Sequence, residues 1–581
     1  MRLFPDQPEH SLISLWAYLL LASTSLHTAT ATSQLTTSPQ TWHSNLTRLR
    51  SARYGGKNAL DPLDDLRKAL DVMQTEYFEL WVGAWPSAID WTAAVMNTQI
   101  VSSMATFSRA LDDMSLTATS DGDYRNSVGP ARDIENDLNR YFSQSVAYYF
   151  GEDAFAIRNE ANDDMLWVVL GWLEAIKLID THSRLHYHSP DASFHSWHGT
   201  QFVKAFAHRA RVFYDLAARG WDTTLCGGGM TWNSHLEPYK NAITNELFIS
   251  ASVGMYLYFP GDHNSSPFMA QHLKSSLDTP DAEPHDPSYL AAAVQGYEWL
   301  KKSNMTNTLG LYVDGFHISG LKRNSTICDA RNEMVYTYNQ GVLLSGLRGL
   351  WESTGNVTYL TDGHELVRNT IKATGWQFDL GAPTSTSAWA GLGRAGILEE
   401  FCDAQGDCSQ DGQTFKGIFF HHLTLFCEPL PALPLYPGKT HAAGKELALL
   451  HHQSCQEYAL WIAHNARAAV STRDADGKFG SYWGGQDVSY LKTSLPDGAI
   501  DYRNNASELL DWPWMSPNED SRLYHQEPMM RSKDHDYIRH GRGEDIRTSQ
   551  DPNDRGRGRT VETQAGGVAV LKALWELLYM R

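Results

Sequence analysis

An all-α fold is what this 581-residue sequence predicts. Three observations carry that expectation. From about Pro62 onward, apolar residues recur at helical spacing in segment after segment. Loops rich in Gly, Asn, Asp, Ser and Pro separate the segments, and no block alternates apolar with polar for long enough to demand a large sheet. Trp91 to Leu111 (WTAAVMNTQIVSSMATFSRAL) is too long for a strand, and its apolar positions return every three or four residues. Asp164 to Ile179 (DMLWVVLGWLEAIKLI) continues the pattern, with Asn162 or Asp163 placed to cap it. Asn245 to Tyr258 is the third strong segment, and Ser288 to Lys301, Asn339 to Trp351, Gly363 to Ala373, Gly417 to Phe426, Gln453 to Ala468 and Thr560 to Leu578 follow. Helical hairpins that cannot bury an apolar face alone must stack into a solenoid, a bundle or a closed toroid. A closed ring leaves its connecting loops at one end, where residues distant in sequence converge on one cleft.

The mature chain, residues 45–581, reads as one domain with two loop insertions. One lies near 430–446, a Pro-, Gly- and Ala-containing stretch around Leu433 to Lys445. The other, 504–559, is polar and charge-mixed, with Arg539, Arg542, Arg547, Arg555, Arg557 and Arg559 near Asp545, Asp551 and Asp554, and is expected to be a solvated loop.

Residues 1–31 address compartment rather than fold. Ser11 to Thr24 carries no charge and small residues follow at Thr28 to Ala31, the pattern of a signal peptide; a retained signal anchor is the alternative, because the first residues are only weakly positive. Secretion makes sense of six Asn-X-Ser/Thr sequons, at Asn45, Asn264, Asn304, Asn324, Asn356 and Asn505. It also suits the six cysteines, Cys226, Cys328, Cys402, Cys408, Cys427 and Cys455, as up to three disulfides, of which proximity suggests only Cys402 with Cys408. The C-terminal segment carries Lys572, Glu576 and Arg581, so no lipid-anchor signal is expected. A secreted protein at the cell exterior or in a cell wall is the expectation, with wall or membrane-surface association open.

With 48 Lys plus Arg against 67 Asp plus Glu, the net charge of −19 argues against a nucleic-acid partner. The 42% apolar content fills a large core. The 19 Trp, 26 Tyr and 21 Phe supply rings that mostly pack that core, and a few can stack on sugar faces.

The densest chemical signal is Asn162-Asp163-Asp164, where a loop gives way to an apolar helix. An isolated acidic pair at a helix start is most often a response to free amides and the helix dipole. As a functional pair, neighbours pointing in different directions can flank one bond, with repulsion and desolvation splitting their protonation states. An ionised nucleophile beside a protonated acid is what retaining glycoside hydrolysis needs. Cys226-Gly227-Gly228-Gly229 before Trp232 gives a backbone free to take positive φ and approach a ligand, but lacks phosphate-loop spacing. Trp232, Tyr239 and Trp85 are the stacking candidates; Asn245, Asn339 and Gln340 suit sugar hydroxyls because amides both donate and accept. Lys416, in Phe415-Lys416-Gly417, is a further substrate-binding candidate beside the plainer reading of a solvated surface residue. HExxH, GxSxG and complete Ca²⁺ loops are missing, Asp474-Ala-Asp476-Gly477 reads as a turn, and His421-His422 and His451-His452 are assigned no metal. No cofactor is expected.

Together Asn162-Asp163-Asp164, Cys226-Gly-Gly-Gly229 with Trp232, Tyr239-Lys240-Asn241 with Asn245, Tyr338-Asn-Gln-Gly341, Gly396-Ile-Leu398, Phe415-Lys-Gly417 and Val561-Glu-Thr-Gln564 are similar, in this order, to glycoside hydrolase family 76. That family comprises the endo-α-1,6-mannanases and fungal cell-wall relatives acting on glycosylphosphatidylinositol-anchored proteins. The resemblance spans roughly Tyr77 to Leu574. It implies an (α/α)6 barrel and a retaining mechanism with Asp163 as nucleophile and Asp164 as general acid/base. The implied partner is α-mannan or a mannosylated glycoconjugate, and the implied reaction is hydrolysis of internal α-1,6-mannosidic bonds. Transglycosylation on the mannose core of anchored glycoproteins, and non-catalytic mannan binding, are the alternatives.

Overall fold

The structure is a computed structural model and describes residues 60–121, 124–152, 157–158, 160–187, 197–264, 282–384, 388–484, 494–504, 549 and 551–579. The leader, Asn45, Asn505 and residues 505–548 of the second insertion lie outside the described residues.

Twelve α-helices occur among the described residues. In chain order they are α1 (Pro62–Glu76), α2 (Asp90–Asp121), α3 (Tyr124–Gly151), α4 (Asn162–His186), α5 (Val203–Ala217), α6 (Ala242–Tyr258), α7 (Pro287–Lys302), α8 (Thr337–Thr354), α9 (Thr358–Lys372), α10 (Gln410–Phe426), α11 (Lys445–Ser471) and α12 (Val561–Tyr579). The even-numbered helices pack in a closed circuit, α2 on α4, α4 on α6, α6 on α8, α8 on α10, α10 on α12 and α12 back on α2. The odd-numbered helices lie outside, α3 on α2, α5 on α4, α7 on α6, α9 on α8, and both α11 and α1 on α12. Outer and inner helices therefore alternate strictly along the chain, which is the (α/α)6 barrel.

The two rings differ in sequence because they differ in surroundings. Inner helices are covered all round: every residue of α6 from Ala242 to Leu257 is buried, as is every residue of α12 from Val561 to Leu578. Outer helices are amphipathic, and several start on side-chain caps. Asp61 before Pro62 accepts from the Asp64 amide, and Asp286 before Pro287 accepts from the Ser288 amide. The nine helices expected from sequence are present with longer ends, and α1, α3 and α5 are added. Strands are confined to short ribbons. The largest pairs Lys240–Asn241, Gly315–His317 and Ala330–Asn332 antiparallel, with Asn241 opposite Gly315 and Gly315 opposite Asn332.

Gly341 lets α8 and α10 approach closely. A Cβ built there would sit 2.6 Å from the Phe419 Cα. Gly341→Ala is therefore expected to destabilise the fold by about 1–3 kcal/mol through overpacking, although alanine is the better helix former by ~1 kcal/mol. A lower urea midpoint at unchanged slope would show it.

All six inner helices run the same way. At one end, Trp91 of α2 donates to Asp411 of α10 (2.9 Å), and Gln410 of α10 donates to Glu562 of α12 (2.8 Å). At the other, Arg109 of α2 pairs with Glu576 of α12. The loop from 427 to 444, for which an insertion near 430–446 is expected, sits at this second end, where the His441 amide bonds the Glu352 carbonyl and Arg348 bonds the Glu428 and Pro429 carbonyls. It is remote from the inner-helix N-termini. In the described tail of the 504–559 stretch, Asp554 and Arg557 are exposed, while Arg559 pairs with Asp551 and Asp554, and Asn553 is buried and exchanges hydrogen bonds with the Tyr482 backbone. Disulfides join Cys226 to Cys328, Cys402 to Cys408 and Cys427 to Cys455. No described helix is long and apolar enough to cross a membrane. Asn264, Asn304, Asn324 and Asn356 are all exposed.

Candidate active site

The N-terminal ends of the inner helices, with the loops before them, bring the chemistry-bearing residues together. Asn162 opens α4, and its amide and side chain bond the Trp232 and Thr231 carbonyls at 2.8 and 2.7 Å, tying the helix start to the Trp232 loop. The N-cap position belongs to Ala161, so neither Asn162 nor Asp163 caps the helix. Asp164, in the first turn, instead reaches back to accept from the Ala161 amide at 3.2 Å.

Asp163 is buried, with 2% of its surface exposed. One oxygen accepts from the Asp164 amide (3.2 Å) and the other pairs with an Arg503 nitrogen (3.1 Å). Burial raises the Asp163 carboxyl while Arg503 and the amides oppose that rise. Asp164 is held well above the usual carboxylate range, first by burial, then by the Asp163 charge, with Glu160 and Asp411 adding to it. Both carboxyls are therefore raised, Asp164 the more strongly, and the counteracting ion pair and amide bonds fall on Asp163.

Around the pair stands an aromatic wall. Trp91 stacks on Trp167 (5.8 Å between centroids) and on Phe415, and Phe415 stacks on Tyr338 at 3.9 Å. The Tyr338 hydroxyl is buried without a hydrogen-bond partner and lies within electrostatic reach of Arg503, Asp163 and Asp411. Trp232, half-buried, carries the Arg503 guanidinium over its ring at 5.3 Å.

The other expected substrate contacts divide. Tyr239 lies beside Trp232, yet its hydroxyl is donated to Asp314 and one ring face is covered by His317 at 4.2 Å. Asn245 and Gln340 are corrected. Asn245 accepts from the Met230 amide and donates to the Met230 and Asn241 carbonyls, and Gln340 accepts from the Tyr312 amide and donates to the Tyr312 and Tyr336 carbonyls. Both amides staple loops: their N–H donors are spent on backbone carbonyls, and both residues are buried. Of the three, only Asn339 keeps donor and acceptor uncommitted, and it is fully buried. Trp85 is also corrected: it packs with Phe78 and Tyr148 in the outer layer and donates to Gln74. Lys416 is neither solvated nor a cleft residue, being 2% exposed and bound to Asp403 and the Ser481 carbonyl. The three glycines at 227–229 take positive φ, but Gly228 and Gly229 do so to lie against the Trp299 ring, where a Cβ on Gly229 would come within 2.6 Å. Their role is packing rather than ligand approach.

Arg503 and Asp411 are not singled out by sequence, and Tyr338 is given no site role there. Tyr338 opens the Tyr338-to-Gly341 motif, and Asp411 in the first turn of α10 carried the same helix-start signal as Asp163; Arg503 carried no local signal. One grouping of metal-ligand atoms occurs among the described residues, His364, His451 and Cys455 within 4.8 Å. Its sulfur is spent in the disulfide to Cys427, and the two imidazoles bond each other at 3.0 Å. The Asp474 carboxylate accepts from the Asp476 and Lys478 amides, as a turn requires.

Among curated proteins, the chain is 26% identical over 223 residues to mannan endo-1,6-alpha-mannosidase DFG5 of Saccharomyces cerevisiae, covering 37% of this chain and 38% of that protein. It is 23% identical over 282 residues to the Candida albicans DFG5 protein, covering 47% and 48%. The chain thus matches less than half the length of these relatives. Among solved structures, Dfg5 from Chaetomium thermophilum in complex with glucosamine aligns over 91% of this chain and 93% of its own, at 15% identity and a TM-score of 0.48. An inactive variant of the α-1,6-mannanase GH76A of Salegentibacter sp., in complex with α-1,6-mannotetrose, aligns over 89% and 100%, at 14% identity and a TM-score of 0.47. The family model for glycosyl hydrolase family 76 matches residues 123–266 and 282–487, a span that contains Asp163 and Asp164 and ends before Arg503. With more than half of its residues matched by that model, the chain belongs to glycosyl hydrolase family 76.

Proposed function

We propose that the protein is a secreted, glycosylated enzyme that cleaves internal α-1,6-mannosidic bonds with retention of configuration. The observation that carries this reading is the adjacent Asp163 and Asp164, the first buried and the second half-buried, at the mouth of the barrel, with a cation on the first carboxylate and none bonded to the second. In the first step an Asp163 oxygen attacks the anomeric carbon while Asp164 gives its proton to the departing glycosidic oxygen. Asp164, now a carboxylate, takes a proton from water, and that water displaces Asp163 from the anomeric carbon. Two inversions give net retention. Exposed sequons at Asn264, Asn304, Asn324 and Asn356 and three disulfides support passage through an oxidising secretory compartment.

Linear α-1,6-mannan, and separately an α-1,6-mannooligosaccharide, incubated with the purified protein, test the reading by mass spectrometry and by NMR of the first-formed anomer. Shorter products with an initial α-anomer are expected. Longer products would show a sugar hydroxyl replacing water, and binding without products would leave a mannan-binding protein. Asp164→Ala separates the two roles. Mannan turnover is expected to fall roughly 10²–10⁴-fold. A dinitrophenyl α-mannoside, whose leaving group needs no proton, should still form the glycosyl-enzyme, and azide should accelerate its release as the α-azide. Absence of azide rescue would remove Asp164 from the acid/base role.

A further inference from the structure

The proposed chemistry requires one of two adjacent carboxylates, Asp163 buried and Asp164 half-buried, to act as an anion in an acidic surrounding. Asp163 is faced by Asp164 and Glu160 from its own end of α4 and by Arg503 from the 494–504 segment; Asp411 from α10 acts on Asp164, Tyr338 of α8 is also within reach, and Asp314, beside the central ribbon, and Asp501 are further acids acting on that neighbourhood. Arg503 is the cation that acts on both members of the pair.

Its placement is built rather than incidental. The Ile500 amide and carbonyl both bond the Asn332 side chain, at 2.8 and 3.0 Å, fastening the segment to the central ribbon. Asp501 accepts from the Tyr336 hydroxyl (2.6 Å) just before α8, and the Asn504 side chain accepts from the Ser409 amide (2.8 Å) at the cap of α10. Three anchors on three parts of the barrel therefore flank Arg503 within five residues. The guanidinium then lies over Trp232, whose own carbonyl accepts from the Asn162 amide at the start of α4. Arginine and its aspartate partner are fastened to the same turn of backbone.

We propose that Arg503 is a positioning residue of the active site, its guanidinium clamped on Trp232 and paired with Asp163 so as to fix the direction and the charge of the nucleophile. The inference rests on the retaining mechanism above, and it assigns a role to a residue outside the family-matched span. A planar guanidinium suits this place because it can lie over the indole while an N–H at its edge donates to the carboxylate.

The test is the pH profile of kcat/KM on an α-1,6-mannotetraose for the wild-type protein, Arg503→Gln and Arg503→Lys. A neighbouring cation lowers a carboxyl by about one to three pH units. Losing it should move the acid limb, which requires ionised Asp163, upward by about one pH unit or more. The alkaline limb, which requires protonated Asp164, should move the same way. Below the wild-type acid limb, kcat/KM of Arg503→Gln would then fall about tenfold for each pH unit that the limb moves. Arg503→Lys keeps the charge and should move the limbs by less than half as much. A uniform loss with unmoved limbs would overturn the proposal and leave Arg503 a structural residue. If Arg503→Gln does not fold, Arg503→Met takes its place in the same profile, and unmoved limbs there would likewise overturn the proposal. If the wild-type protein does not cleave the tetrasaccharide, the proposed function fails; titration of ¹³C-carboxyl aspartates, with Asp163→Asn for assignment, then decides the role of Arg503 by itself. An Asp163 signal titrating at the same pH in wild type and Arg503→Gln would end it.

Discussion

Asp163→Asn is expected to abolish turnover while leaving the barrel folded and glycan binding nearly intact. Asparagine has the same shape but a single acceptor oxygen, so it keeps only one of the two bonds that Asp163 accepts, from the Asp164 amide or from Arg503, and turns its NH2 toward the other donor. The cost to stability is about 1–3 kcal/mol, the size of one lost buried hydrogen bond. Its neutral oxygen cannot displace a leaving group from the anomeric carbon. Removal of a nucleophile costs roughly 10⁴-fold or more in turnover. Calorimetric titration with an α-1,6-mannooligosaccharide should give a dissociation constant within a few-fold of wild type. Turnover surviving within tenfold of wild type would show that Asp163 is not the nucleophile, and a large fall in melting temperature would return it to a structural role. The structure already weakens that structural reading, because the cap position of α4 belongs to Ala161 and the backbone amide at 161 is answered by Asp164.

Legibility in the sequence followed the range over which each feature is determined. The inner helices were readable because burial on all sides leaves few polar interruptions: α6 and α12 are apolar through almost every turn. Outer helices α1, α3 and α5 were not separated out, since half of their surface faces water and the apolar stripe is diluted by residues such as Asp64, Arg67 and Lys68 in α1. Closure of the ring was invisible in the residues themselves, because the contact of α12 with α2 joins segments more than 400 residues apart. Asp163 and Asp164 could be found since a helix start is a local signal. Arg503 could not, being 340 residues away in sequence within a polar stretch that reads as loop. The amides misled for a different reason. Asparagine and glutamine at loop-to-helix junctions have the same chemistry for a sugar hydroxyl as for a backbone amide, and Asn245 and Gln340 spend it on Met230 and Tyr312.

Lys416 shows the same ambiguity with the sign of the charge added, and it gives the largest expected effect on stability. Its ammonium lies between the Asp403 carboxylate and the Ser481 carbonyl, and its side chain is 3% exposed against 0% for Asp403. Asp403 also accepts from the Ser481 hydroxyl and the Glu400 amide, and of the donors that converge on its carboxylate Lys416 carries the only full charge among those bonded to it. Lys416→Met keeps the length of the side chain and removes that charge. An anion left unpaired in the interior costs about 3–5 kcal/mol, which should appear as a clear drop in the denaturant midpoint. Removing both charges, with Lys416→Met and Asp403→Asn together, should recover at least half of the loss, because the penalty belongs to the stranded partner and not to the missing attraction. A substrate-binding lysine predicts the opposite pattern: unaltered stability, a raised KM for mannan, and no relief from changing Asp403. The double variant therefore decides between a cleft residue and a buried strut, and it does so on the folded protein without requiring that turnover be detected at all.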